Sequence, residues 1–308
     1  PSAGGSTLGP APSLNANTNM YAHSAEAPTQ QPAAQPANRP NPPHARQPAV
    51  VHSCIPQTPH TPINIHELET ELQSHPDSHL VQSVLSDLRH GCRLGFTGNR
   101  EHSAIASNLS SAHRFPSVVS EYLAKECTLL HTCGPFDQPP FLPFRTSGIG
   151  VVPKKSGGHR LILHLSAPAN NSINDFINQE DRTFKMISVD NICDHVKRVG
   201  PGALLTKVDL RHAFRLIPVH PDDWPLLGMC WGGKFYFDTV LPFGLRSSPF
   251  LFNRFADLLA WILRVQYSIP YLEHYLDDYI NVSLPANDIP RSTAAVHKAT
   301  IRRYQSSG

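Results

Sequence analysis

Charge of either sign is scarce in this 308-residue chain. Its 26 Lys and Arg against 24 Asp and Glu leave a net charge of only +2, so no global basic field marks a polyanion partner, and any such partner must be recognised by local clusters. Cysteine is sparse as well. Cys54, Cys92, Cys127, Cys133, Cys193 and Cys230 have no paired spacing, which indicates neither a zinc site nor a secreted disulfide scaffold and implies a reduced intracellular compartment, nucleus or cytoplasm. His90 near Cys92 and His131 near Cys133 lack a second half. No apolar run reaches the length of a membrane span, and the amino terminus has no signal-peptide core, so neither membrane insertion nor secretion is expected. Large apolar residues are almost missing from residues 1–62, which hold 13 of the 30 prolines and predict a disordered Pro-rich segment.

Helical periodicity begins at Ile63. Ile65, Leu68 and Leu72 recur on one face, then Leu80, Val84, Leu85 and Leu88, and Phe115 to Leu130 gives a further helix with Pro116 in its first turn and Val119, Tyr122, Leu123 and Cys127 inward. Residues 63–135 thus read as a helical lead-in.

The chemistry concentrates further on. In His274-Tyr275-Leu276-Asp277-Asp278-Tyr279 two adjacent carboxylates supply the turn of a hairpin whose strands run from Ile269 to His274 and from Tyr279 to Val282. Alone, such a pair is usually a solvated turn. A second acidic strand end, the apolar run Ala203 to Val208 closing on Asp209, reads as a buried strand presenting a carboxylate, or by itself as a strand followed by a helix cap. Phosphoryl transfer by two Mg²⁺ ions needs carboxylates converging from separate strands; Asp209 and Asp277 fit as bridging ligands and Asp278 as a weaker third, with Mn²⁺ able to substitute. Between the two lies Leu241-Pro242-Phe243-Gly244-Leu245-Arg246-Ser247-Ser248-Pro249, a turn entering a helix capped by Ser247 or Ser248, with Phe252, Phe255, Leu258, Leu259, Ile262 and Leu263 on its apolar face. Gly244 and the free N–H groups there allow a nucleotide or template strand to approach.

Gly150 to Lys155 leading into His159 to Ser166, Val208-Asp209 through Pro221, Leu241 to Pro249, and Tyr275-Leu276-Asp277-Asp278 follow one another in the order of a reverse transcriptase, which the chain resembles from about Leu88 to Ser283. Gly134-Pro135-Phe136, Pro139-Pro140-Phe141 and Asn253 make it most similar to the polymerases of DIRS-type retrotransposons, which pair this enzyme with a tyrosine recombinase.

From Gln138 to Asn174 there is no acidic residue, while Arg145, Lys154, Lys155 and Arg160 are basic. Ser156-Gly157-Gly158 predicts a hairpin turn that brings Lys155 near Arg160 across the strands. By the resemblance, Arg160 and one of the two lysines grip the triphosphate of a deoxynucleotide, with a guanidinium able to bind in bidentate fashion. Phe214, five residues past Asp209, then excludes a 2′-hydroxyl, and Phe243 packs on sugar or base; core packing accounts for Phe214 equally well.

The expected architecture is α+β. Residues 136–308 are reverse-transcriptase-like fingers and an incomplete palm whose antiparallel sheet carries the three aspartates, with Ser292 to Tyr304 as the next palm helix. The resemblance implies an RNA-directed DNA polymerase working on an RNA or DNA primer-template with dNTPs, with RNase H-like and recombinase modules downstream. With no thumb before Gly308, the alternative is a truncated, non-catalytic remnant that at most binds nucleic acid or a partner.

Overall fold

The computed structural model describes residues 55–284, except 156, 179–183, 185 and 186. The helical periodicity forms first. Helix α1 (Ile65–Glu71) is capped by Asn64, whose side chain accepts the Glu67 N–H at 3.2 Å. Helix α2 (Ser78–His90) is capped by Asp77 and buries Val81, Val84, Leu85 and Leu88, one face of a regular helix. It stops at Gly91, whose φ of +83° lets the backbone pass so close to His220 that a Cβ would lie 2.4 Å from its nitrogen. After strand β1 (Ala104–Ile105) and the short helix α3 (Ser110–Arg114), helix α4 (Pro116–Thr128) turns Val119, Leu123 and Cys127 inward as expected. Glu126 is buried with them, and Tyr122 is only half-buried.

The expected helical lead-in is corrected here. Strand β2 (Thr132–Phe136) crosses the 135/136 boundary and pairs antiparallel with β8 (Lys234–Asp238), while β1 pairs parallel with β3 (Arg145–Thr146). With β7 (Gly228–Trp231) these make a five-stranded sheet in the order β1-β3-β7-β8-β2, so residues 63–135 are woven into the layer that later segments build. The Pro-rich segment is also shorter than 62 residues: Ile55 packs on the core, and the Thr61 hydroxyl donates to the Leu216 carbonyl at 2.7 Å.

Strands β4 (Gly148–Pro153) and β5 (His159–His164) form a separate two-stranded hairpin, which α3 and α4 cover through a small apolar cluster including Val119, Leu123, Ile149 and Val151. Helix α5 (Val189–Val199) precedes a three-stranded antiparallel sheet, β6 (Leu204–Asp209), β10 (Asp278–Ser283) and β9 (Leu272–Tyr275), in the order β6-β10-β9. The hairpin strand begins at Leu272 rather than Ile269. Helix α6 (Ser248–Val265) lies between α2 and β9, with Pro249 in its first turn and the six expected apolar residues buried. Each such side chain contributes roughly 1.5–3 kcal/mol by leaving water. Ser247 stands at the N-cap without a capping bond, and the Ser248 hydroxyl donates instead to the Pro242 carbonyl. The helix expected over residues 292–304 lies outside the described residues.

Candidate active site

Antiparallel register brings the carboxylates together. Asp209, the last residue of β6, stands directly opposite Asp278, the first of β10. Asp278 also opposes Tyr275, so the hairpin turn consists of Leu276 and Asp277, not of the two aspartates. Leu276 takes φ +53° to close it, and the Asp277 carbonyl accepts the Leu210 N–H at 2.9 Å, which ties the turn to the end of β6. Strand β6 is not the buried apolar run expected from its sequence: Leu204, Thr206 and Val208 are half-buried, and Leu205, Lys207 and Asp209 are exposed. Alternate residues share a face, so Lys207 and Asp209 lie on one side, and the Lys207 ammonium meets an Asp278 carboxylate oxygen at 2.7 Å.

Electrostatics set Asp277 apart. Burial pushes its carboxyl above the ordinary range, and the charges of Asp209 and Asp278 push it further, partly offset by a backbone hydrogen bond and Lys207. Among the described residues no group of three His, Cys, Asp or Glu side chains is gathered closely enough to hold a metal ion, and Asp278 is turned to Lys207.

Five residues past Asp209, Phe214 lies in a 3-10 turn (Ala213–Leu216) entered through left-handed backbone at His212. Its ring is buried between Phe243, 5.1 Å away, and Phe252, 5.3 Å away, and Phe243 is more than half exposed. Gly244 has φ +90°. The buried Asn174 fixes this turn: its amide nitrogen donates to the Gly244 carbonyl at 2.9 Å, and its amide oxygen accepts the Arg246 N–H at 2.8 Å. Sequence reasoning missed Asn174; a lone Asn 70 residues upstream carries no signal of it.

The basic hairpin differs in register from its expectation. Arg160 faces Val152, and Lys154 and Lys155 lie beyond the strand in the turn, where the Lys154 N–H donates to the Gly158 carbonyl. Turn length explains the shift: the loop between the strands holds five residues, Lys154 to Gly158. Lys154, Lys155 and Arg160 are exposed and form no ion pair among the described residues, and none links them to the aspartates. Their hairpin still reaches the turn, because the Leu163 carbonyl lies 3.3 Å from where a Gly244 Cβ would stand. Arg145 lies elsewhere, in the five-stranded sheet.

Next to Phe214, Arg215 is buried in an ionic cluster that composition gave no hint of. It donates to Asp238 at 2.7 and 2.9 Å and to Glu126 at 3.0 Å, with Thr132 bonded to Asp238 and His131 to Glu126. Burial alone would lower the guanidinium pKa; Asp238 and Glu126 outweigh it and push the value up. Burial likewise pulls Glu126 upward, but His131 and Arg215 hold it below its ordinary value. The cluster anchors the Phe214 turn to β2, β8 and α4.

A family model described as reverse transcriptase (RNA-dependent DNA polymerase) matches residues 152–305, half of the chain. The Pro-Pol polyprotein of feline foamy virus is 31% identical over 130 residues, covering 41% of this chain and 10% of that polyprotein. A foamy viral protease-reverse transcriptase dRH solved in complex with ds DNA superposes with a TM-score of 0.51 at 15% identity, covering 82% of this chain and 43% of that one. Native prototype foamy virus protease-reverse transcriptase gives a TM-score of 0.45 at 22% identity, over 67% of this chain and 25% of that one. The chain spans a tenth of the curated relative and less than half of these solved chains. Among the described residues, no helix is long and apolar enough to cross a membrane. The α+β fold is that of reverse transcriptases, and the chain belongs to the reverse transcriptase (RNA-directed DNA polymerase) family.

Proposed function

We propose that the protein carrying this chain is an intracellular RNA-directed DNA polymerase derived from a retrotransposon, in which residues 136–308 supply fingers and part of the palm and extend a primer on an RNA or DNA template with dNTPs. The observation that carries this is the meeting of Asp209 and Asp278 across β6 and β10 with Asp277 in the adjoining turn. The charges of Asp209 and Asp278 add to burial in raising the Asp277 carboxyl, and hard oxygen donors suit Mg²⁺ or Mn²⁺. Asp209 and Asp277 would hold the ions, with Asp278 joining once Lys207 releases it. When bound, the ions supply activation of the primer 3′-hydroxyl and charge neutralisation at the leaving pyrophosphate.

The chain's own residues supply orientation. Arg160 with Lys154 or Lys155 binds the triphosphate, Phe214 and Phe243 pack against the sugar, and Gly244 lets the backbone come close. The foamy-virus relative solved with double-stranded DNA supports a primer-template as partner. The motif wording around Gly134 and Asn253 favours a DIRS-type element, with RNase H-like and recombinase modules downstream. The Lys207 contact favours a second class, a non-catalytic remnant in which an ammonium stands where a cation would act. Primer extension with Mg²⁺ and with Mn²⁺ decides: extension abolished by Asp209→Asn supports the polymerase, and nucleic-acid binding without extension in the unaltered protein supports the remnant.

A further inference from the structure

Among the described residues Arg145 is a buried cation without an anion. Only 9% of the residue is exposed, yet among the described residues it meets no carboxylate. Its Nη2 donates to the Asn171 carbonyl at 2.7 Å and to the Asn171 side-chain oxygen at 3.0 Å, and its guanidinium carbon lies 5.8 Å from the centre of the Phe96 ring. Nε and Nη1 donate to nothing among the described residues. Burial lowers the pKa of the group, and no counter-charge opposes it. Arg215, still more deeply buried, has two carboxylates, and Arg100, stacked on the same Phe96, is paired with Asp223. A buried charge is costly unless paired, so Arg145 leaves a demand for negative charge that no described residue meets.

The space to meet it is present. Arg145 borders a cavity of about 350 Å³ whose polar wall includes Ser107, Thr146, Ser147, Asn171 and Ser172 and which no acidic residue lines. The other cavity that Arg145 borders has both Arg100 and Asp222 in its wall, so a carboxylate already stands among its cations. A planar guanidinium with two free donor positions, in a wall that also carries hydroxyl and amide groups, matches the oxygens of a phosphate group, and the volume leaves room for what the phosphate is attached to. The short segment 171–174 connects this cavity to the candidate active site, since Asn171 holds Arg145 and Asn174 holds the Gly244 turn.

We propose that Arg145 and this cavity form a binding site for a phosphate group, separate from the basic hairpin tip. The source is either the diester backbone of a single nucleic-acid strand, which rests on the polymerase function proposed above, or free inorganic phosphate, which does not. The test uses the full chain and two probes: a labelled thymidine oligonucleotide, followed by fluorescence anisotropy over a salt series, and inorganic phosphate, followed by phosphorus NMR line broadening. Arg145→Gln removes the charge; Ser107→Glu places a carboxylate at the exposed mouth and disturbs no buried group. Both variants should weaken binding about tenfold or more, the scale of lost charge-assisted hydrogen bonds. For the oligonucleotide, Arg145→Gln should also flatten the slope of log K against log salt by about 0.7. An effect on the oligonucleotide alone identifies the diester. An effect on phosphate, with no oligonucleotide binding by the unaltered chain, sustains the site while removing the template strand as its ligand. If Arg145→Gln fails to fold, Ser107→Glu decides alone. Unchanged binding of both probes in folded variants, or no binding of either probe by the unaltered chain, overturns the proposal.

Discussion

At the scale of single residues, the sharpest consequence concerns Asp277. Its carboxyl is raised above the ordinary value of 3.8, so the fold favours the protonated form, and ionisation destabilises the protein increasingly as pH rises from 3.8 through the folded value. Asp277→Asn removes that burden. The variant should melt at a higher temperature than the unaltered chain at neutral pH while losing primer extension on the order of 100-fold or more, the scale for deleting a preorganised electrostatic group. A lower melting temperature would contradict the cost of burying this charge beside Asp209 and Asp278. Phe214 carries two roles at once, since its ring fills the gap between Phe243 and Phe252. Phe214→Ala should cost about 3–5 kcal/mol in urea unfolding and raise ribonucleotide relative to deoxynucleotide incorporation; an unchanged ratio of kcat/KM for the two sugars would leave it a core residue only. That Asp209, Asp277 and Asp278 come together was legible in the sequence because acidic residues at strand ends are locally visible. Asn174 and Arg215 were not, because their partners lie 70 residues and 23 to 89 residues away.

Among the elements, the junction between the 3-10 turn at Phe214 and the five-stranded sheet depends on one guanidinium. Arg215→Met would leave Asp238 and Glu126 buried without their cation, at a cost of about 3–5 kcal/mol, measurable as a shift of the urea midpoint; adding Asp238→Leu and Glu126→Leu should recover much of it. The same cluster sets an acid limit. Glu126 is held below its ordinary value of 4.5, so it contributes stability that is fully present above pH 4.5 and is lost as pH falls through the folded value. Acid unfolding followed by circular dichroism should begin at higher pH in Glu126→Gln. Elements with strong periodicity, α2, α4 and α6, were readable from spacing alone, and the hairpins from their Gly and Asp turns. What spacing could not give was which strands share a sheet, since the two-residue strands β1 and β3 have no periodic signature and are defined only by their pairing.

For the whole molecule, the amino-terminal boundary is the testable point. A chain beginning at residue 63 loses the packing of Ile55 and the bond from Thr61 to Leu216, and should unfold about 1–3 kcal/mol more easily than one beginning at residue 55, by the scale of a buried apolar side chain and one hydrogen bond. Equal urea midpoints for the two would return residues 55–62 to the tail. The pairing of Thr132 with Asp238 has a further outcome during synthesis. A ribosome adding about 5–20 residues per second takes roughly 5–20 s to pass from one partner to the other. Through that interval β2 waits with its hydrogen-bonding edge open and its neighbour unmade, so the nascent chain offers a binding opportunity to chaperones that the finished protein has closed.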